Sequence, residues 1–299
     1  MATYTIKDLE KLSGIKAHTI RIWEKRYGLI EPERTSTNIR TYCDLDLKRL
    51  LNISLLNQNG LKISKIARLS NDELSDKINH LQQNSTDTES QIKSLTLSMI
   101  ELDEEKFEKI ISRAVIQLGF EDTMINVIYP FFQRIGIMWQ TGIINPAQEH
   151  FVSNLIRQKL IVAIDSQINI NQSSHKSFIL FLPEGELHEL GLLFFAYLIK
   201  KRGHRLIYLG QSVPMNDLIE ITKLKPSDYI VTSFVSSING QDISLYLKNL
   251  AERLKNETIF ISGGQTETLK GELSSNVKTV SSPLEFIDIL DKISSFSTN

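Results

Sequence analysis

A carboxylate and an imidazole stand two residues apart in the run Glu186-Leu187-His188-Glu189-Leu190-Gly191. An imidazole with one ring nitrogen held by a carboxylate has its tautomer fixed and offers the other nitrogen to a metal. The run follows Phe178-Ile179-Leu180-Phe181-Leu182, an apolar stretch that reads as a buried strand. His188 is therefore expected on a strand-to-helix loop at the carboxyl edge of a parallel sheet, where open α/β folds bind ligands. A histidine on a loop is by itself more often a solvated side chain. Its neighbours in space have to decide.

Those neighbours belong to a region, 175–299, in which apolar strands alternate with amphipathic helices, the pattern of a Rossmann-like, doubly wound parallel sheet. Two further strand ends carry small residues: Ser233 and Val235 after one strand, Gly263-Gly264 after another. Small residues at neighbouring strand ends leave a slot running into the sheet. A histidine at the mouth of such a slot suits a large planar metal complex with a tail. Upstream, 91–170 reads as a helical bundle with Pro146 in the first turn of a helix. There Trp139 is followed, after nine residues, by Glu149-His150. No His-Glu-x-x-His run is present, and adjacent residues of one helix point apart, which argues against zinc hydrolysis.

The amino-terminal end has a different character. Residues 1–70 hold 13 Lys+Arg against 7 Asp+Glu, a net +6, while the remainder holds 21 against 28, a net -7. A basic head on an acidic body points to a polyanion partner. Thr5 and Asp8 predict a capped helix start, Ser13-Gly14 a break, and residues 16–27 a second, basic helix. This is a helix-turn-helix pattern. Gly28–Arg34 and Asn38–Tyr42 read as a two-stranded wing. His18, Thr19, Arg21, Lys25 and Arg26 on the second helix, with Arg34, Arg40 and Tyr42 on the wing, are the expected DNA contacts. His18 reads equally as a solvated surface residue. Trp23 and Tyr27, four apart, read as core.

These boundaries give a DNA-binding head at 1–75, a polar linker at 76–90, the bundle at 91–170 and the α/β domain at 175–299. No apolar run spans a membrane. Met1–Asp8 lacks the apolar core of a secretory signal, and the single cysteine, Cys43, forms no internal disulfide. A cytoplasmic location is the expectation.

From Tyr4 to Tyr42 the chain strongly resembles the MerR family, through Tyr4-Thr5-Ile6, Gly14-Ile15, Thr19-Ile20-Arg21, Trp23-Glu24, Arg26-Tyr27-Gly28-Leu29-Ile30, Pro32, Arg34 and Arg40-Thr41-Tyr42. The resemblance implies a winged helix-turn-helix that binds double-stranded operator DNA as part of an oligomer. The cysteine cluster of the metal-sensing members is missing. Glu186-x-His188-x-x-Gly191, Ser233-x-Val235 and Gly263-Gly264 resemble the cobalamin-binding Rossmann-like family, with Glu186 in place of the usual Asp and Val235 in place of the usual Leu. That resemblance implies His188 as lower axial ligand to cobalt, and a cofactor tail in the slot at Ser233, Gly263 and Gly264.

The order of modules is similar to the light-sensing repressors of carotenoid genes, the CarH and LitR group. It implies adenosylcobalamin (or methylcobalamin or hydroxocobalamin) as cofactor, an upper face covered by Trp139, Glu149 and His150, a dimer or tetramer, and no enzymatic activity. One departure bears on photochemistry: Gln140 stands where the group has a histidine. The alternatives are a corrinoid methyl carrier, which has no need of the basic head, and a MerR regulator acting without cobalamin. A radical mutase would need a substrate barrel, for which no length remains.

Overall fold

The computed structural model describes residues 4–35, 38–58, 60–70, 73–74, 76–77, 88–140, 144–167, 176–236, 242–269 and 273–296. The chain divides into two compact units, Met1–Val152 and Ser153–Asn299.

The first unit opens with α1 (Ile6–Ser13) and α2 (Ala17–Tyr27). Thr5 and Asp8 cap α1 reciprocally, the Thr5 hydroxyl accepting from Asp8 N–H and the Asp8 carboxylate from Thr5 N–H. Gly14 ends the helix at φ 70, a left-handed turn that a side chain resists. The wing is a short antiparallel pair, β1 (Glu33–Arg34) and β2 (Arg40–Thr41). Helix α3 (Asp44–Gln58) is buried continuously from Leu50 to Leu56, and α4 (Ile63–Ile66) follows it.

Helix α5 (Thr88–Glu101) begins inside the expected linker. Every residue from Ser90 to Met99 is buried. Such a helix has no polar face, and this one fills its interior with Ser, Thr and Gln as well as Leu and Ile, so no 3.6-residue stripe marks it. The hydroxyls of Thr96 and Ser98 donate to carbonyls of their own helix, at Ile92 and Leu95. Glu101 closes α5 on two lysines, Lys48 of α3 at 2.5 Å and Lys106 at 3.4 Å.

Helix α6 (Glu104–Leu118) is amphipathic as expected and is capped by Asp103. A short α7 (Phe120–Thr123) widens into a π turn at Met124–Ile128 before α8 (Tyr129–Gln140). Pro130 accounts for the widening: its ring clashes with the carbonyl four residues back and it has no N–H to donate. Tyr129 N–H instead reaches Met124 O, five residues away. Helix α9 (Pro146–Asp165) starts at Pro146, and its residues from Ser153 onward belong to the second unit.

The second unit alternates as the sequence predicts: β3 (Ser177–Pro183), α10 (Leu190–Lys201), β4 (Arg205–Val213), α11 (Met215–Leu224), β5 (Tyr229–Ser233), α12 (Ile243–Arg253), β6 (Thr258–Ser262), β7 (Val277–Thr279) and α13 (Pro283–Phe296). The sheet is parallel, in the order β4-β3-β5-β6-β7. Period-2 alternation sends Ile179, Phe181, Ile230, Phe234, Ile259 and Ile261 into a core with Leu218 of α11 and Tyr246, Leu247 and Leu250 of α12. The opposite face carries aromatic contacts, Phe195 of α10 on Phe286 of α13 at 4.3 Å and Phe260 on Phe286 at 6.1 Å. With helices on both faces, the fold is doubly wound. The strand order reverses between β3 and β5, and such a reversal opens a crevice at the carboxyl edge.

Candidate functional site

The loops after β3 and β5 meet at that reversal, and one side chain joins them. Glu186 is fully buried. Its Oε1 accepts from Leu187 N–H at 2.9 Å, His188 N–H at 3.0 Å and His188 Nδ1 at 2.7 Å. Its Oε2 accepts from Val235 N–H at 2.9 Å, Ser236 N–H at 2.7 Å and the Ser236 hydroxyl at 3.1 Å. Burial pushes the carboxyl upward, but the donors from Ser236, His188 and Val235 outweigh it and hold it at about 2. Glu186 is thus an anion at neutral pH, and an anion only accepts. Nδ1 must donate, so the nitrogen that the ring presents outward, on a side chain that is 61% exposed, is Nε2. This is the donor set of a metal-binding imidazole.

Among the described residues, no group of three or more His, Cys, Asp or Glu is placed to hold a metal ion. One imidazole on an open edge suits a metal that arrives already held by its own ligands. Exposed Leu187 and Val235 flank His188 in sequence and in the partner loop, and give the edge an apolar surface. Ser233 is buried at the end of β5, its hydroxyl donating to Ser262 O at 3.3 Å.

The two glycines after β6 differ in cause. A Cβ on Gly263 would lie 2.3 Å from the carbonyl oxygen of Phe234, so the backbone of the β5 loop already fills that space. A Cβ on Gly264 would meet nothing within 4 Å. The expected slot is therefore closed at Gly263, where the glycine lets two loops touch, and open at Gly264. Gly191 lies in the first turn of α10.

Three features of this edge had no signal in the sequence. Ser236 is the second donor pair on Glu186, yet a serine three residues beyond Ser233 is unremarkable until β3 and β5 are known to be neighbours. Glu189, next to His188, is buried and accepts from Arg157 Nε of α9 at 2.5 Å and from the Tyr208 hydroxyl of β4 at 2.9 Å. Burial and then the Glu189 carboxylate push the Tyr208 phenol upward. The third is the contact of β4 with the His188 loop, taken up below.

In the first unit, Glu149 and His150 stand at the start of α9. His150 is exposed, and its Nδ1 lies 3.2 Å from the Glu149 carboxylate. Trp139 and Gln140 end α8, and their side chains lie outside the described residues.

The head places His18, Arg21, Lys25 and Arg26 on the exposed side of α2, with Thr19 half-buried and Arg34 exposed on the wing. Trp23 is buried and Tyr27 half-buried. Two wing residues do something other than expected. Tyr42 is buried, pairs through its backbone with Tyr4, and gives its hydroxyl to Glu24 at 3.3 Å. It is a brace between wing and helix, not a phosphate contact. Burial and then the Glu24 charge push its phenol to about 12. Arg40 donates through Nε to the other Glu24 oxygen at 3.1 Å, so part of its guanidinium is spent inside the head.

Comparison with known proteins bears on the head and on the helical region that precedes the sheet. Residues 4–73 match the MerR HTH family of regulatory proteins, and residues 91–163 match the B12 binding domain. The chain is 29% identical to the HTH-type transcriptional repressor CarH of Myxococcus xanthus over 262 residues, 84% of this chain and 85% of that one. It is 23% identical to the repressor CarA of the same organism over 295 residues, 97% of each. The monomethylamine corrinoid protein of Methanosarcina barkeri superposes on 69% of this chain with all of its own length, at a TM-score of 0.55 and 13% identity, a likeness of fold alone.

Proposed function

We propose that this chain, a MerR-type transcriptional regulator with a B12-binding domain similar to CarH and CarA, binds adenosylcobalamin and reports its state to operator DNA as an oligomer. The observation that carries the reading is the Glu186–His188 pair: a buried anion fixing Nδ1 at 2.7 Å and leaving Nε2 exposed at the sheet's reversal point.

When bound, adenosylcobalamin supplies cobalt and a cobalt–carbon bond that light breaks. His188 would hold the metal through Nε2. Glu186 orients the ring by accepting the hydrogen bond of Nδ1–H, so that Nε2 is the nitrogen presented. Ser233, Val235, Gly191 and the open space at Gly264 would receive the rest of the group, while Gly263 lets the two loops touch. Trp139, Glu149 and His150 are the residues of the helical region that would contribute to holding the group. Gln140 stands next to Trp139, and an amide there would bind cobalt far more weakly than an imidazole would. The helix-turn-helix reads DNA through His18, Thr19, Arg21, Lys25 and Arg26, with Arg34 and the remaining guanidinium nitrogens of Arg40 on phosphates. No helix among the described residues is long and apolar enough to cross a membrane, in keeping with a regulator that meets its operator in the cytoplasm.

The test is reconstitution in darkness. Cofactor-free protein mixed with adenosylcobalamin and passed through a sizing column should retain a visible spectrum. Illumination should change both that spectrum and the oligomer size, and His188→Ala should weaken retention. Protein that emerges colourless sinks the proposal. A coloured protein with no affinity for any duplex in a random pool would leave the methyl-carrier alternative standing in its place.

A further inference from the structure

The edge strand β4 does not run evenly beside β3. Leu180 pairs with Tyr208 and Pro183 with Val213, so β4 advances five residues while β3 advances three. The two extra residues break the ladder beside the His188 loop. Bulges of this kind re-aim side chains next to functional sites. Here they re-aim Gln211 and Ser212. The Gln211 Nε2 donates to Leu187 O at 2.7 Å. The Ser212 hydroxyl accepts from Gly185 N–H at 3.1 Å, and Ser212 N–H donates to Glu186 O at 3.3 Å. Ser212 holds this place at φ 53, a left-handed conformation costing about 1 kcal/mol or more for a residue with a side chain.

Three consecutive residues, Gly185, Glu186 and Leu187, are thereby gripped from one side, immediately before His188. Glu186 fixes the ring of His188 from within the loop. Glu186 also ties this loop to the β5 loop through Val235 and Ser236, whereas the backbone on the β4 side is held by Gln211 and Ser212. We infer that Gln211 and Ser212 are positioning residues for His188: they hold the backbone of the ligand loop so that Nε2 stands where a metal meets it. The inference rests on the reading of His188 as the lower ligand. An edge-strand bulge also blunts unwanted strand pairing, but that role asks only for irregular backbone. It does not require Gln211 and Ser212 side chains directed at the ligand loop.

The experiment uses full-length protein labelled with 15N-histidine and loaded with cobalamin reduced to the cobalt(II) form. Electron paramagnetic resonance then shows a doublet splitting from a protein imidazole, or a triplet from the cofactor's own 14N base. The wild type should give the doublet. Gln211→Glu keeps the size of the side chain and removes its donor, and Ser212→Ala removes the hydroxyl alone. Each should shift bound cobalamin from doublet toward triplet and weaken retention about tenfold, the scale of losses around metal ligands, with the melting temperature of the cofactor-free protein nearly unchanged. In the cofactor-free protein, amide exchange at Leu187 and His188 should speed up about tenfold. A wild-type doublet that persists undiminished in both variants, with unchanged exchange, overturns the clamp while leaving His188 as ligand. A lowered melting temperature with the doublet intact also overturns it, because the bulge is then only structural. A triplet in the wild type overturns both readings.

Discussion

Two carboxylates hold the two working ends of this protein, and they do so by opposite means. Glu24 lies on the recognition helix and ties the wing to it through side chains, Arg40 and the Tyr42 hydroxyl. Its own side chain is 16% exposed. Glu186 lies on a loop, has no exposure, and ties a second loop to the first chiefly through backbone N–H groups. Water can replace much of what Glu24 does. It cannot reach what Glu186 does, so an unmet donor there costs the full desolvation of the group. A head that docks on DNA needs orientation of exposed charge. An edge that presents one nitrogen needs a fixed tautomer, and hence a buried anion.

The largest effect that this contrast predicts is at Glu186. Glu186→Ala leaves the N–H groups of Val235, Ser236, Leu187 and His188 without their acceptor, and should destabilise the second unit by about 3 kcal/mol or more. Cobalamin affinity should fall about 10–100-fold, as His188 loses its orienting partner. Denaturant titration and equilibrium dialysis measure the two. A loss no greater than that of Glu24→Ala breaks the contrast.

Acid gives the second effect. The folded Glu186 carboxyl sits at about 2 against 4.5 in the unfolded chain. A depressed folded value means that the unfolded state binds the proton first, so the stabilisation is complete above about pH 4.5 and drains away as pH falls toward 2. Its size is about 3 kcal/mol, from about 1.4 kcal/mol per unit. The stability curve of the second unit should therefore slope down with acid over that window, and Glu186→Gln should flatten it. A Gln variant with an unchanged slope would assign the acid sensitivity to other carboxyls.

Glu24→Ala comes third. It should cost about 1 kcal/mol of stability, because Arg40 is half-exposed and finds water. Its larger consequence is geometric: the wing loses its tie to α2, and DNA affinity should fall by more than that stability loss accounts for. Filter binding beside thermal melting separates the two.

The contrast also governs what was legible in the sequence. Strand-helix alternation in 175–299 is a local pattern, and the element order follows it closely. The helix-turn-helix was equally local, with Thr5, Asp8 and Gly14 marking its turns. Helix α5 fell mostly within the stretch read as a bundle but was given no bounds of its own, because burial on every side erases the stripe that marks a helix. At the sensing edge, Glu186 and His188 were visible because they are two residues apart. Ser236, Gln211 and Ser212 were not, since each reaches the loop from another strand and depends on sheet order and on a break in register. The wing gave a false reading at Tyr42 for a related reason. A tyrosine beside arginines on a basic head looks like a phosphate contact, and only the Tyr4 bridge and the Glu24 carboxylate turn it inward.

That reassignment sets the smallest prediction. Arg21 is exposed on α2, whereas Tyr42 is buried. Arg21→Ala should weaken DNA binding and lower the slope of log affinity against log salt by about 1, as one phosphate contact fewer releases one counterion fewer. Tyr42→Phe keeps the ring and removes the hydroxyl donated to Glu24, so it should cost about 0.5–1 kcal/mol of head stability and leave the salt slope where it was. Were the slope to drop in Tyr42→Phe as it does in Arg21→Ala, the hydroxyl would be on the DNA, and Glu24 would brace the wing through Arg40 alone. An unchanged slope in both would move the phosphate contacts off this part of α2, toward Arg34 and the wing.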